Sequence, residues 1–226
     1  MKGKLYIVAT PIGNKDDITV RAISTLTTVD VIAAEDTRVA SKLLGLLHIP
    51  KKQIISINEF STEENFDYIL KFIQDGKNVA YVSDAGTPGI SDPGAMLVTH
   101  CRKYEVEIVP IPGVSAIATA ASVSGIRESS FMFYGFLPHK KGRKKILSEL
   151  FALQRNIMLY ESVHRFMKLL DEIIDINPDQ EVIVCRELTK MYEDIKVNTA
   201  QNIKKYYEDN KTKLKGEFVV LIKNYK

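Results

Sequence analysis

Three loops of small residues each follow an apolar run that is typical of a β-strand. TPIGN (10–14) follows LYIVAT, DAGTPG (84–89) follows NVAYVS, and PGVSA (112–116) follows VEIVPI. Glycine lets a ligand approach main-chain N–H and C=O groups without an intervening side chain. If these strands are neighbours in a parallel sheet, their loops meet at its carboxyl edge, where open α/β sheets bind ligands. Each loop alone is equally explained as an ordinary turn, but together they predict a binding rim.

The residues just after the second loop have a simpler explanation. In SDPG (91–94), Asp92 has the residue type of a helix N-cap and Pro93 suits the first helical position. We therefore expect a helix from about Pro93 to Tyr104, and this half of the motif needs no ligand.

Charged residues end the second apolar run. Glu35, Asp36, Thr37 and Arg38 follow VDVIAA at 29–34, and they place two carboxylates, a hydroxyl and a guanidinium at a strand end. One interpretation is a site for a substrate. The other is that Asp36 or Thr37 caps the next helix and that Glu35 and Arg38 are solvated.

The densest basic run is HKKGRKK at 139–145. Such a run is often a solvated helix start. Cations at a helix N-terminus oppose the macrodipole, however, and a phosphate-rich partner would compensate for that cost. The sequence leaves both interpretations open.

Several well-known motifs are absent from the sequence. No two of its glycines are separated by one residue, so it contains no GxG dinucleotide fingerprint, and GxxxxGK[ST] is also missing. Gly89-Ile-Ser91-Asp-Pro93 lacks the last glycine of a nucleophile elbow. The four histidines have no metal-ligand spacing. Nicotinamide redox chemistry, nucleotide hydrolysis, serine hydrolysis and zinc chemistry all lose support.

The bulk composition is that of a globular protein. The chain has 226 residues, a net charge of +3 and two distant cysteines, Cys101 and Cys185. This pattern argues against a disulfide framework and favours a reducing compartment. No apolar run approaches the length of a membrane span. We therefore expect a soluble, cytoplasmic protein without a metal.

Short β-branched runs alternate with helical patterns, which predicts an α/β fold with a mostly parallel first sheet. We expect an N-terminal α/β domain at 1–113 and a C-terminal α/β domain at 114–226 with a mixed sheet. Within STEENFDYILKFIQDG (61–76), Ser61 and Glu64 have the spacing of a capping box and Gly76 that of a helix stop. Residues 190–197 could be an additional strand.

The motifs occur in an order that resembles a known family. YIVATPIGNKDDIT, AAEDTR, VSDAGTPGISDPG, PIPGVSA, FYGFLP, YESVHR, RELTK and GEFVVLI extend over nearly the whole chain. Together they resemble the ribosomal RNA small subunit methyltransferase I family, within the tetrapyrrole methylase superfamily. AEDTR, SDAGTPGISDPG and RELTK are the most specific of these matches.

The resemblance implies the fold, the reaction and the partners. It implies two α/β domains of the tetrapyrrole-methylase type with the cofactor in the cleft between them, usually in a homodimer. The reaction would be S-adenosyl-L-methionine-dependent 2′-O-methylation of a cytidine ribose in the decoding region of 16S rRNA, free or within the small ribosomal subunit. Many family members continue past GEFVVLI into a small helical extension, whereas this sequence stops at Lys226.

The resemblance also implies site residues. For the cofactor it points to Ile12, Asp84, Ala85, Gly86, Thr87, Ser115 and Ala116, and less directly to Tyr160, Glu161, Arg186 and Phe218. Separately from the resemblance, we hypothesise for the substrate side that Glu35 or Asp36 accepts the hydroxyl proton. RNA would be bound by Arg38, Lys140, Lys141, Arg143, Lys144 and Lys145. A bulky residue at Gly86 is expected to abolish cofactor binding and leave the fold intact.

Two other functions remain compatible with the sequence. A methyltransferase of the same superfamily could act on a tetrapyrrole or on a protein side chain, because a fold does not determine its substrate. A non-catalytic RNA-binding assembly protein could also retain the fold, and it would bind no cofactor.

Overall fold

The computed structural model describes residues 2–128 and 130–224. The chain divides into two compact units, Met1–Ser115 and Ala116–Lys226. Each unit is built on its own five-stranded sheet.

The N-terminal unit has a fully parallel sheet. Its strands are β1 (Leu5–Val8), β2 (Val31–Ala34), β3 (Gln53–Ser56), β4 (Val79–Val82) and β5 (Ile108–Ile111), in the order β3-β2-β4-β1-β5. Its helices are α1 (Val20–Thr28), α2 (Thr37–Leu46), α3 (Glu63–Gln74) and α4 (Gly94–Arg102). A short 3-10 turn at Lys15–Asp17 precedes α1.

Helices cover both faces of this sheet. Along β2, Val31 and Ala33 belong to one hydrophobic cluster and Ile32 and Ala34 belong to the other. Successive strand side chains point to opposite faces, so a strand that is apolar throughout must be covered on both sides. This burial accounts for the uninterrupted apolar runs in the sequence.

The C-terminal unit has a mixed sheet. Its elements are α5 (Ala116–Val123), β6 (Phe131–Phe136), α6 (Arg143–Ala152), β7 (Asn156–Ser162), α7 (Val163–Ile176), β8 (Glu181–Arg186), β9 (Asp194–Thr199), α8 (Ala200–Asp209), a 3-10 turn at Lys211–Lys213, and β10 (Glu217–Ile222). The strand order is β6-β7-β10-β8-β9. Only β6 and β7 pair in parallel; the other neighbours are antiparallel. The strand expected at 190–197 begins later, at Asp194.

Two predicted helix starts are displaced by one residue. The capping box of α3 uses Thr62 and Asn65, and the Thr62 N–H donates to Asn65 Oδ1 over 2.8 Å. The predicted pair of Ser61 and Glu64 is therefore wrong, because the Ser61 hydroxyl instead accepts the Asn58 N–H over 2.9 Å.

The start of α4 shows the second displacement. Its N-cap is Pro93, in the right-handed helical region, and not Asp92 as predicted. Asp92 still satisfies the helix start from one residue further back, because its Oδ1 accepts the Gly94 N–H over 2.8 Å. Its Oδ2 accepts the Gly89 N–H over 2.7 Å and closes the preceding loop.

Within residues 2–128 and 130–224, no helix is both long enough and apolar enough to cross a membrane.

Two glycines provide a matched test of the packing around α4. A Cβ added at Gly94 would lie 2.6 Å from Tyr81 Cε1 and 2.8 Å from Asp92 Oδ1, whereas one added at Gly45, in α2, meets nothing within 4 Å. We predict that Gly94→Ala lowers the free energy of unfolding by about 1–3 kcal/mol, because the buried Tyr81 ring leaves no room. Gly45→Ala should raise it by about 0.5–1 kcal/mol through helix propensity. Urea unfolding of both variants measures the difference, and effects of the same sign would contradict the prediction.

Candidate functional site

The three small-residue loops meet at the carboxyl edge of the N-terminal sheet. The strands that precede them are adjacent, in the order β4-β1-β5, which confirms the expected convergence. Thr10 and Gly86 exchange two main-chain hydrogen bonds, with N–H to O distances of 2.9 and 3.0 Å. The first and second loops are therefore held together by a small antiparallel bridge.

Gly86 is required by this bridge. Its φ is +79°, in the left-handed region, and an added Cβ would lie 3.2 Å from Ile12 Cγ2 and 3.6 Å from the Val114 carbonyl oxygen. A side chain here would strain the backbone by about 1–2 kcal/mol and press on the Ile12 side chain of the first loop. This geometry argues against the expectation that a bulky residue leaves the fold intact, because the same change would disturb the loops, so Gly86 variants would not separate cofactor binding from local structure.

The third loop is joined to the second by a side chain. Thr87 Oγ1 donates to the Val114 carbonyl oxygen over 2.8 Å. A Cβ added at Gly113 would lie 2.9 Å from Ala9 Cβ, so the third loop can approach β1 only because residue 113 has no side chain. Ser115 is half-buried at the end of this loop, and Ala116, the first residue of α5, is half-buried as well.

Glu35 and Asp36 are linked to the second loop. The Asp84 N–H donates to Glu35 Oε2 over 3.3 Å, and the Asp36 N–H donates to Asp84 Oδ1 over 3.0 Å. β2 is the other neighbour of β4 in the sheet, which brings these residues to the same edge. Asp84 and Ala85 are exposed, so both face solvent beside Glu35.

Burial and neighbouring charges raise the pKa of two carboxylates at this edge. Burial raises the pKa of Glu35, and the charges of Asp84 and Asp92 raise it further, although the Asp84 N–H opposes the change. Burial also raises the pKa of Asp84, which the Asp36 N–H partly offsets. A carboxylate with a raised pKa is a better proton acceptor, so Glu35 fits the predicted role of base.

Asp36 has a different role. Its Oδ1 accepts the Arg38 N–H over 2.8 Å as the N-cap of α2, and its Oδ2 lies 2.5 Å from Arg38 Nη2. The hydrogen bonds from the Arg38 side chain and main chain lower the pKa of Asp36 to about 2. Of the two predicted bases, Asp36 is the weaker one, and the helix-cap interpretation describes it better.

The basic run divides into exposed lysines and one buried arginine. Lys140, Lys141, Lys144 and Lys145 are exposed. Arg143 is 2% exposed; its Nη2 donates to Glu161 over 2.8 Å and its Nε donates to Glu172 over 2.7 Å. The assignment of Arg143 to RNA binding is therefore corrected, because its guanidinium is committed to two buried carboxylates.

Two of the predicted cofactor side chains of the C-terminal unit are also committed elsewhere. The buried Glu161 accepts from Arg143, and its other oxygen lies 2.8 Å from Arg165 Nη2. Phe218 is 1% exposed and stacks on Phe166 with ring centroids 4.1 Å apart. Both side chains stabilise the core of this unit, so we withdraw their assignment to the cofactor.

Of the other two side chains that were predicted to contact the cofactor, one is engaged elsewhere and one is not. Arg186 is 7% exposed and its Nη2 donates to the Tyr192 carbonyl oxygen over 2.7 Å, so it supports a turn. Tyr160 is half-buried between Phe133 and Phe136, at centroid distances of 4.9 and 5.5 Å, and burial raises its pKa to about 12. Tyr160 remains a candidate; the Arg186 side chain does not.

Sequence reasoning missed a fourth loop at the same edge. Residues 57–62 follow β3, and Ser56 Oγ donates to the Glu35 carbonyl oxygen over 3.4 Å. Phe60 in this loop is 82% exposed. The sequence change that could have indicated this loop is the one from the apolar QIISI to the more polar INEFST, because the other strands of this sheet also end in polar or small residues. In the part of the chain that the structure describes, no group of three or more His, Cys, Asp or Glu side chains is placed to hold a metal ion.

Close relatives share one name. A ribosomal RNA small subunit methyltransferase I of Borrelia garinii subsp. bavariensis is 45% identical over 219 residues, covering 96% of this chain and 97% of the relative. Its namesake in Thermotoga maritima is 43% identical and covers 97% and 98%. In Haemophilus influenzae the namesake is 41% identical and covers 98% of this chain and 79% of the relative.

Solved structures share the fold at low sequence identity. A diphthine synthase has a TM-score of 0.75 at 14% identity, covering 97% of this chain and 90% of that one. A cobalt precorrin-4 methyltransferase has a TM-score of 0.68 at 20% identity, covering 97% and 94%. The family model for tetrapyrrole (corrin/porphyrin) methylases matches residues 4–204. The chain therefore belongs to the tetrapyrrole (corrin/porphyrin) methylase family.

Proposed function

We propose that this protein uses S-adenosyl-L-methionine to methylate the 2′-hydroxyl of a cytidine ribose in the decoding region of 16S rRNA. The observation on which the proposal rests is the rim at the carboxyl edge, where loops joined by the Thr10–Gly86 bridge lie beside a carboxylate of raised pKa. The shared name of relatives at 41–45% identity supports rRNA as the substrate.

The rim fits a cationic nucleoside cofactor. Main-chain groups at 85–87, together with the side chain of Ile12, would contact it, because Gly86 adds no side chain there. Ser115 and Ala116 would contact it from the third loop. Asp84 Oδ1 is engaged by the Asp36 N–H, so we assign Oδ2 to the ribose hydroxyls. The clustered carboxylates favour a positively charged sulfonium and disfavour a phosphate.

The residues of the rim position the acceptor. When bound, S-adenosyl-L-methionine supplies an activated methyl group, so the protein has mainly to align the ribose hydroxyl and exclude water. Glu35 would accept the hydroxyl proton at a carboxylate oxygen as the O–C bond forms. The Asp84 N–H to Glu35 Oε2 hydrogen bond would hold the carboxylate in place.

Exposed cations would bind the RNA backbone. Lys140, Lys141, Lys144 and Lys145 lie at the start of α6 and are exposed to solvent. The Arg38 side chain is 90% exposed even though it pairs with Asp36. Each such cation can neutralise a phosphate and release a counterion.

Tetrapyrrole and protein substrates have less support. The cobalt precorrin-4 methyltransferase is 20% identical to this chain and the diphthine synthase is 14% identical, and likeness at that level extends to the fold alone. Relatives of more than 40% identity carry the rRNA name, which favours RNA as the acceptor.

Methylation of small subunits from a strain that lacks this gene tests the proposal. We expect the protein to transfer a labelled methyl group to one ribose 2′-oxygen in the decoding region, located by mapping alkali-resistant linkages. Label on a base carbon would contradict the proposed reaction. Calorimetry with S-adenosyl-L-methionine tests the non-catalytic alternative, because the proposed enzyme must bind it in the absence of RNA.

Glu35→Gln tests the proposed base. We expect the single-turnover methylation rate to fall about 100-fold, because the amide cannot accept the proton. In the unsubstituted protein the rate should decline as the pH falls through the Glu35 pKa, which burial raises above its ordinary value. The Glu35→Gln variant should lack this acid limb.

The matched control is Asp36→Asn. Its amide oxygen still caps α2, and because the pKa of Asp36 is about 2, this residue does not titrate in the range of the acid limb. The control should therefore retain the limb. A Glu35→Gln variant with an unchanged rate and pH profile would rule Glu35 out as the base.

We also propose that the protein acts in the cytoplasm as a homodimer. Phe131, Met132, Tyr134 and Phe136 on the edge strand β6 are 38–50% exposed, and exposed apolar edge strands favour pairing with another chain. Light scattering should give about twice the 25.5 kDa of one chain. A Phe136→Lys substitution should shift the protein towards monomer, and a monomeric parent protein would contradict the proposal.

A further inference from the structure

The turn between β8 and β9 has a strained backbone. Residues 187–193 connect these antiparallel strands, and two of them, Glu187 and Thr189, have φ values of +52° and +65°. The left-handed region is unfavourable for residues with a Cβ and especially so for a β-branched threonine. Strain of this kind persists only where the surroundings determine the conformation, and it is concentrated at ligand-binding segments.

Several hydrogen bonds hold this turn in place. The Glu187 N–H donates to the Glu217 carbonyl oxygen over 3.0 Å, and the Thr189 N–H donates to Glu193 Oε2 over 2.6 Å. Lys190 Nζ lies 2.9 Å from carboxylate oxygens of both Glu187 and Glu217. These hydrogen bonds and ion pairs hold the turn in one conformation.

Buried and crowded groups complete this support. Arg186 holds the Tyr192 carbonyl oxygen. A Cβ added at Gly216 would lie 2.3 Å from Glu187 Cδ, so the Glu187 carboxylate occupies the space that a side chain would need. Arg186 was predicted to contact the cofactor, but its side chain instead positions the main chain of this turn.

The rigid turn presents two exposed side chains. Met191 is 89% exposed and Tyr192 is 68% exposed, and we call this pair the hairpin tip. Exposed side chains contribute little to the free energy of unfolding, so the tip does not account for the strain of the turn. An aromatic ring held out to solvent on a rigid turn is suited to stacking on a flat partner.

A lysine-rich segment is linked through its main chain to the turn that carries the hairpin tip. The segment Lys211–Lys215 directly precedes Gly216 and β10, and its Lys211, Lys213 and Lys215 are exposed. The Lys215 carbonyl oxygen is 3.5 Å from Arg186 Nη1, which links the segment to the turn. Exposed aromatic rings beside cations are characteristic of surfaces that bind single-stranded nucleic acid.

We propose that the hairpin tip and the Lys211–Lys215 segment form a second RNA-binding surface, in which Tyr192 stacks on an unpaired base and Lys211 and Lys215 bind the flanking phosphates. The inference rests on the proposed function, which supplies RNA as the ligand. The carboxylates of the N-terminal rim repel phosphates, so cations away from the rim have to contribute to the affinity for RNA.

The test measures binding of the 226-residue chain to a single-stranded decoding-region RNA. Tyr192→Ala should weaken binding roughly 5- to 100-fold, the range for loss of one stacked base, whereas Tyr192→Trp should retain it. The matched control is Tyr104→Ala, which removes an aromatic side chain, 43% exposed, from the N-terminal unit and should leave binding unchanged. Binding of S-adenosyl-L-methionine by Tyr192→Ala shows that the variant is folded.

Salt dependence tests the lysines separately. Lys211→Gln and Lys215→Gln should each reduce the slope of log affinity against log salt by about 0.7, the value for one phosphate on a single strand. Lys103→Gln, an exposed lysine of the N-terminal unit, should leave the slope unchanged.

The outcomes distinguish this surface from the proposed function. If the parent protein methylates rRNA and Tyr192→Ala binds RNA equally well, the second surface is wrong and the function stands. If binding is lost only with assembled subunits and not with free RNA, the tip contacts a protein and the inference is overturned. If the parent protein binds RNA through Tyr192 but methylates none, the proposed function fails and the surface stands. If it binds no RNA, both fail.

Discussion

The pair of hydrogen bonds between Thr10 and Gly86 is the constraint on which the rest of the site depends. Residue 86 adopts a left-handed conformation in this bridge, where a side chain would be strained and would press on Ile12. Because the bridge holds two loops together, Thr87 is placed to donate to Val114 in the third loop. The same loop brings Asp84 beside Glu35. One local conformation therefore positions both the main chain of the small-residue loops and the carboxylates beside them.

The charges of the chain are divided between two tasks. Burial raises the pKa of Glu35 and of Asp84 at the edge of the N-terminal sheet, and the charge of Asp84 adds to the shift at Glu35. This group of carboxylates favours a cation. Exposed lysines of the C-terminal unit favour an anion. Arg143 belongs to neither group, because Glu161 and Glu172 neutralise it in the interior. A buried charge without such partners would be strongly destabilising, so the guanidinium is held by these carboxylates and does not contact RNA.

Much of the architecture could be predicted from local patterns. Apolar runs located the strands, and small residues after β1, β4 and β5 located the rim. The errors have local physical causes. Arg143 lies one and two helical turns before the buried Leu147 and Leu150, so the helical period already placed it on the inner face, but the density of neighbouring cations concealed this. Thr62 and Ser61 are both good N-caps, and only the fit of α3 selects between them.

The sequence by itself determined the family, the order of the elements and the type of residue at each strand end, because these depend on periodicity, turn preferences and motif order. Only the tertiary structure decided which charged groups face solvent and which face each other. It separated Glu35 from Asp36 through Arg38, buried Arg143 and Phe218, and turned Arg186 towards Tyr192. A side chain's protonation and accessibility depend on neighbours that are distant along the chain, and local sequence patterns do not reveal which residues those neighbours are.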